Sequence, residues 1–265
     1  SDAWRTVAGA RIDRYRFDVR SDLTANSGTA NDHLASPSLS LIYGPWKTAE
    51  LYANIGNGFH SNDARGTTIA VDPKTGEATG KVSPLVRSRG LELGARSTWL
   101  PGLQSSLSFY RLDFDSELTF VGDAGTTEAG PPSRRYGVEF SNYYKPLKWL
   151  SVDLDLAYAR ARTRGDASDG DRIAGAIEGT GQLALTVDDG GPLSGSLKLR
   201  YFGPRPLIED NSVRSNSSLT LNGRLGWKVR RDLSLELEAF NLTNRRDSAI
   251  DYYYASQLKG EAAPV

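Results

Sequence analysis

Over almost its whole length the chain alternates apolar and polar residues with a period of two, and the spacing i, i+3, i+4, i+7 is nearly absent outside the loops. A period of two belongs to strands with unlike faces, so the chain reads as all-β. The pattern predicts about eleven strands, over 4–20, 36–43, 48–60, 85–99, 103–121, 133–145, 149–163, 177–188, 193–203, 217–229 and 232–245. Their connections alternate strictly in length. Gly44 to Lys47, Leu100 to Gly102, Pro146 to Lys148, Asp188 to Pro192 and Arg230 to Asp232 are tight and rich in turn formers. Segments 21–35, 61–84, 122–132, 164–176, 204–216 and 246–265 are long and rich in Gly, Ser, Asn, Asp and Thr. In an up-and-down antiparallel sheet this places every tight turn at one end and every long loop at the other. Transmembrane barrels of the bacterial outer membrane have that polarity.

Composition narrows the alternatives. An apolar fraction of 38% in 265 residues argues against one large compact core, while 9% aromatics and the absence of long single-sign runs argue against disorder. With 32 basic and 32 acidic side chains and no basic stripe, the chain has no electrostatic case for a nucleic-acid partner. There is no Cys, hence no disulfide, thiolate metal site or thiol nucleophile. No run of 18 uncharged apolar residues occurs, which excludes a spanning helix and leaves a spanning barrel open.

The two faces differ in chemistry. Strand 217–229 puts Leu219, Leu221, Leu225 and Trp227 on one face and Thr220, Asn222 and Arg224 on the other. Strand 149–163 sets Val152, Leu154, Leu156 and Tyr158 against Asp153 and Asp155, and strand 232–245 sets Leu233, Leu235 and Leu237 against Glu236 and Glu238. With Glu92, Arg96, Glu139, Lys198 and Arg200, these charges of both signs read as the lining of a wet lumen. Parity is less clean in 103–121, where Leu107 and Phe109 oppose Tyr110, Leu112 and Phe114 and suggest a bulge. All five tryptophans, Trp4, Trp46, Trp99, Trp149 and Trp227, fall at the tight-turn end, as expected of indoles at a membrane interface.

Four segments resemble TonB-dependent outer-membrane receptors. They are Leu51 to Gly66 (LYANIGNGFHSNDARG), Arg89 to Gly94 (RGLELG), Arg134 to Glu139 (RRYGVE) and Leu237 to Arg245 (LEAFNLTNR), the last followed by Asp251 and Tyr252 to Tyr254. The resemblance implies a barrel of about 22 strands, with an N-terminal plug domain and a TonB box, in the bacterial outer membrane. On that expectation residues 1–265 are the C-terminal half of the barrel, without the plug and the last strand. An open half-sheet leaves two unpaired edges in lipid, so such a part is not expected to function alone.

No pattern supports an enzyme. A G-x-S-x-G elbow and a phosphate-binding glycine loop are both absent, and the carboxylate pairs Asp153/Asp155 and Glu236/Glu238 lie on a wet face that supplies no desolvated acid or base. They are expected to pair with Arg and Lys of neighbouring strands or with a plug. His33 and His60, both in predicted loops, lack metal-ligand spacing, and Asp166 to Asp171 lacks the register of a calcium loop, so no metal site or cofactor is expected. At the long-loop end, Arg65, Arg134, Arg135, Arg205 and Arg214 could grip the anionic groups of a metal chelate. Tyr252, Tyr253 and Tyr254 could contact flat or sugar-like rings there. The expected function is a receptor that binds a scarce solute such as an iron–siderophore and imports it with TonB-coupled energy. The expected partners are outer-membrane lipid, the plug, the TonB complex and the solute. The alternatives are a passive porin-like channel and a soluble all-β binding or adhesion domain.

Overall fold

A computed structural model describes residues 3–73, 75–121, 126–165, 168, 170–248 and 250–253. Its main sheet contains β1 (Trp4–Val19), β2 (Gly28–Trp46), β3 (Ala49–Ser61), β4 (Leu85–Ser97), β5 (Leu103–Phe114), β8 (Ser133–Leu147), β9 (Leu150–Thr163), β10 (Gly179–Asp188), β11 (Leu193–Phe202), β12 (Ser218–Arg230) and β13 (Leu233–Ala239). A separate hairpin of β6 (Leu118–Val121) and β7 (Thr126–Ala129) rises between β5 and β8, and a short helix α1 (Ala64–Thr68) sits between β3 and β4. The eleven strands of the main sheet lie in chain order, β1-β2-β3-β4-β5-β8-β9-β10-β11-β12-β13, each antiparallel to the next. The sheet is not closed; β1 and β13 are its edges.

Register carries side-chain parity across the sheet, because residues directly opposite in an antiparallel ladder share a face. Tyr43, Leu51, Ala95, Leu107, Phe140 and Leu156 form one row. Leu41, Ala53, Leu93, Phe109, Val138 and Tyr158 form the next. On the other face one row runs Glu50, Arg96, Ser106, Ser141, Asp155, Gln182 and Arg200. The apolar face is open: Leu51 is 54% exposed, Leu93 53%, Phe109 57% and Leu225 64%, and the buried apolar residues described are Leu34, Leu85, Val86, Ala161 and Pro206. So large an apolar surface calls for a nonaqueous neighbour. Along β9 the apolar face runs unbroken from Leu150 to Tyr158. At about 3.3 Å per residue and a tilt near 40° this covers about 20 Å along a barrel axis, close to the apolar band of a spanning barrel.

Several expectations need correction. Strand β2 begins at Gly28 rather than at residue 36, so His33 lies in a strand opposite Arg14, and His60 lies inside β3. Predicted strand 103–121 ends at Phe114, and the residues beyond it form the β6–β7 hairpin. There is no bulge in β5, whose register is continuous with both neighbours. Its polar-face aromatics have a different cause. The ring of Tyr110 lies where a Cβ on Gly137 would be, with its Cζ 2.3 Å from that position, and Tyr52 covers Gly94 in the same way. Each glycine makes room for a tyrosine lying flat on the sheet. The last predicted strand stops at Ala239, and Asn241 takes a left-handed φ of 51° in the turn that follows.

Candidate functional site

The polar face and the long-loop end hold the chemistry. All ten predicted lumen residues, Glu92, Arg96, Glu139, Asp153, Asp155, Lys198, Arg200, Arg224, Glu236 and Glu238, fall on the polar face by register. Glu50 takes Arg5 on one oxygen and Arg96, at 2.9 Å, on the other. Glu92 accepts from the Tyr52 hydroxyl at 3.0 Å and from Asn54 Nδ2 at 3.1 Å. Arg224 pairs with Glu236 and lies 3.9 Å from Glu238. Asp153 and Asp155 have no Arg or Lys partner from a neighbouring strand among the described residues. Register explains this: Asp155 faces Gln182, and Arg200 lies one strand further on. Both aspartates line a depression of about 520 Å³ near the tight turns, together with Glu50, Arg96, Gln104 and Tyr143.

At the long-loop end the arginines are largely engaged by the protein's own acids. Alternation places the adjacent Arg134 and Arg135 on opposite faces, so they do not share one site. Arg134 binds Asp113 at 2.6 Å, and the same carboxylate holds Arg111 at 2.7 Å and Arg164 at 3.5 Å. Arg135 forks onto Glu117 at 2.6 and 3.1 Å and stacks 4.9 Å over the ring of Phe114. Glu117 also accepts from the hydroxyl of fully buried Ser133. Phe114, Glu117 and Arg135 line, with His60 and Leu112, a polar-face cavity of about 240 Å³. Arg214 binds Glu178 at 2.6 Å beside Arg172 at 2.7 Å, and Arg205 lies 3.8 Å from Asp251.

Arg65 is the most exposed of the five expected ligand arginines and pairs with Asp63 at 2.6 Å. The Arg65 hydrogen bond holds the Asp63 carboxyl below its ordinary value against an opposing effect of burial. Asp63 also caps α1 by accepting from the Arg65 backbone N–H. Tyr252 and Tyr253 are exposed, and Tyr254 lies outside the described residues. Of the segment 166–171, Asp166 and Asp169 also lie outside them, while Asp171 pairs with Arg162 at 3.2 Å. Sequence reasoning missed Asp113, Glu117 and Glu178 as the acids that gather these arginines, because their partners come from different strands and loops at no fixed spacing.

The long connections are tied together. Buried Asn26, between β1 and β2, donates to Val71 O at 2.8 Å and accepts from the N–H groups of Ala70 and Val71, both at 2.9 Å. Thr68 Oγ1 donates to Asn26 O at 2.8 Å. Removing that amide in Asn26→Ala leaves two N–H groups without acceptors, at about 1–3 kcal/mol each where water cannot replace them. Amide exchange at Ala70 and Val71 then accelerates by about tenfold or more, while exchange in β9 to β12 stays unchanged. Equal protection in wild type and variant would show that Asn26 does not hold this loop.

At the opposite end the five tryptophans are exposed by 42–66%, with Trp4 packed 4.8 Å from Tyr43 between ring centroids. Trp46 closes β2, Trp99 and Trp149 sit in the connections 98–102 and 148–149, and Trp227 lies in β12 opposite Leu193.

The family model described as TonB dependent receptor-like, beta-barrel, matches residues 1–242. Solved structures that share the fold include three receptors. The closed form of the ferric-catecholate import receptor Fiu from E. coli K12 superposes with a TM-score of 0.71 at 16% identity, covering 92% of this chain and 39% of that one. The ferric yersiniabactin uptake receptor FyuA from Yersinia pestis gives 0.72 at 17%, covering 92% and 39%. The siderophore receptor PiuA from Acinetobacter baumannii gives 0.70 at 14%, covering 93% and 37%. The chain thus spans about two fifths of the length of the solved structures it matches.

Proposed function

The chain belongs to the TonB-dependent receptor-like β-barrel family, and from that membership we propose that it is part of the wall of an outer-membrane receptor importing a scarce solute with TonB-coupled energy. The observation that carries this reading is the sheet itself: eleven antiparallel strands in chain order, one face greasy and open, the other charged with both signs. In this reading the wall is the C-terminal part of a barrel of about 22 strands. Edges β1 and β13 pair with the remaining strands, and the tryptophans mark one membrane interface. The polar face lines the lumen, where Asp153 and Asp155 offer unneutralised carboxylates to a plug domain. The long loops contact the solute, with Arg65, Tyr252 and Tyr253 the exposed groups among those expected to do so. Ferric chelates are the proposed solute class, supported by receptors of the same fold for ferric-catecholate import and ferric yersiniabactin uptake.

The test uses the full-length protein in its own bacterium. Uptake of its ferric chelate is expected to fall to the level of a receptor-deleted strain when the inner-membrane energy transducer is removed. Uptake that persists without the transducer would mean a passive channel and overturn the reading.

A further inference from the structure

The apolar face carries a feature that solute uptake does not use. Beyond its uppermost apolar row, register places Arg111, Tyr136 and Arg160 side by side, and one row further out Arg89, Asp113, Arg134 and Arg162. These residues share the face of Leu91, Leu93 and Phe109, so they point where the greasy residues point, one step nearer the long loops. Five arginines face one carboxylate in these rows. Asp113 is already shared among Arg111, Arg134 and Arg164, and Arg162 turns to Asp171. Arg89 and Arg160 have no acid partner among the described residues.

Directly below, the same face is hollowed. A groove of about 590 Å³ runs between Phe140, Leu156 and Tyr158 on one side and Leu199 and Tyr201 on the other, and its lining is almost wholly apolar. Its floor is β10, where Gly179 and Gly181 stand in the two apolar rows and leave the space that side chains fill elsewhere. A Cβ on Gly179 would meet nothing within 4 Å. Tyr158 borders the groove and Arg160 follows it on the same face of the same strand, about 7 Å further on.

An apolar trough that ends under the unneutralised Arg160, with Arg89 three strands away and about 16 Å off across the sheet, has the shape and charge to hold an amphiphile: acyl chain below, anionic head above. We propose that this face is a binding site for a bisphosphorylated lipid of the outer leaflet, with a chain in the Gly179–Gly181 groove, one phosphate on Arg160 and the second reaching towards Arg89. The site rests on the membrane-barrel reading. It requires lipid on that face, and it places the outer boundary of the hydrocarbon between Tyr158 and Arg160.

The test reconstitutes the full-length protein in phosphatidylcholine vesicles doped with bisphosphorylated lipid A or with its dephosphorylated form, followed by flotation and native mass spectrometry of retained lipid. Wild type is expected to retain the phosphorylated form preferentially, with a preference that falls as salt is raised. Arg89→Ala/Arg160→Ala reduces that preference by roughly tenfold or more without changing flotation or thermal unfolding. Gly179→Phe fills the groove and lowers retention of both forms. Equal retention of the two forms by wild type, or an undiminished preference in the double variant, overturns the site while the barrel reading stands. Failure of wild type to float with the vesicles overturns both.

Discussion

Leu154→Arg lowers the stability of the membrane-embedded protein by about 2–4 kcal/mol, whereas Asp155→Asn, one residue on, changes it by no more than about 0.5 kcal/mol. Leu154 lies midway along the apolar run of β9, opposite Leu183, so in a spanning barrel its replacement puts a guanidinium deep in the hydrocarbon. Asp155 points to the other face and has no ion partner to lose. The measurement is reversible urea unfolding of the full-length protein in phospholipid vesicles. Similar costs at the two positions would mean that the faces are not lipid and water, and the row-by-row assignment of the sheet would fall with them.

The second large effect is expected at Glu117. One carboxylate receives both guanidinium nitrogens of Arg135 and the hydroxyl of Ser133. Glu117→Ala strands the arginine beside Phe114 and a fully buried Ser133 without its acceptor. Breaking a buried pair from one side costs about 3–5 kcal/mol, and because the Arg135 side chain is 26% exposed the expected loss is smaller, about 2–3 kcal/mol. Adding Arg135→Met removes the orphaned charge while keeping its contact with the ring, so the double variant is more stable than Glu117→Ala alone. Should the double variant be the less stable of the two, the cost comes from packing and not from the unpaired cation.

Much of this arrangement is legible in the sequence, because an apolar face backed by a polar one writes itself into every second residue. That is why β9, β11 and β12 match their predicted spans within a few residues, and why Leu154 and Asp155 can be assigned to opposite faces unaided. The signal fails where the environment is the same on both sides. In β2, residues 28–35 are a strand because their backbones pair with β1 through Val19, yet Asn31, Asp32 and His33 carry no apolar alternation to reveal it. Tyr110 hides parity for another reason, since its partner is an absence of side chain at Gly137 on the next strand. The acids that hold the arginines are equally hidden. Glu117 and Arg135 meet only because the chain makes the β6–β7 excursion between them, and nothing local to either residue announces the other.

The strand order has a kinetic consequence. Every ladder in the main sheet joins strands that are neighbours along the chain, except that the β6–β7 hairpin stands between β5 and β8. Loop-closure entropy grows slowly with the length of the connecting segment, and each pairing here closes a hairpin that the previous one has brought within reach. Assembly can advance one hairpin at a time, like a zip, with no distant strands needing to find each other first. The growing edge is always the strand most recently added, so a substitution that weakens one ladder delays the strands beyond it and spares those already paired.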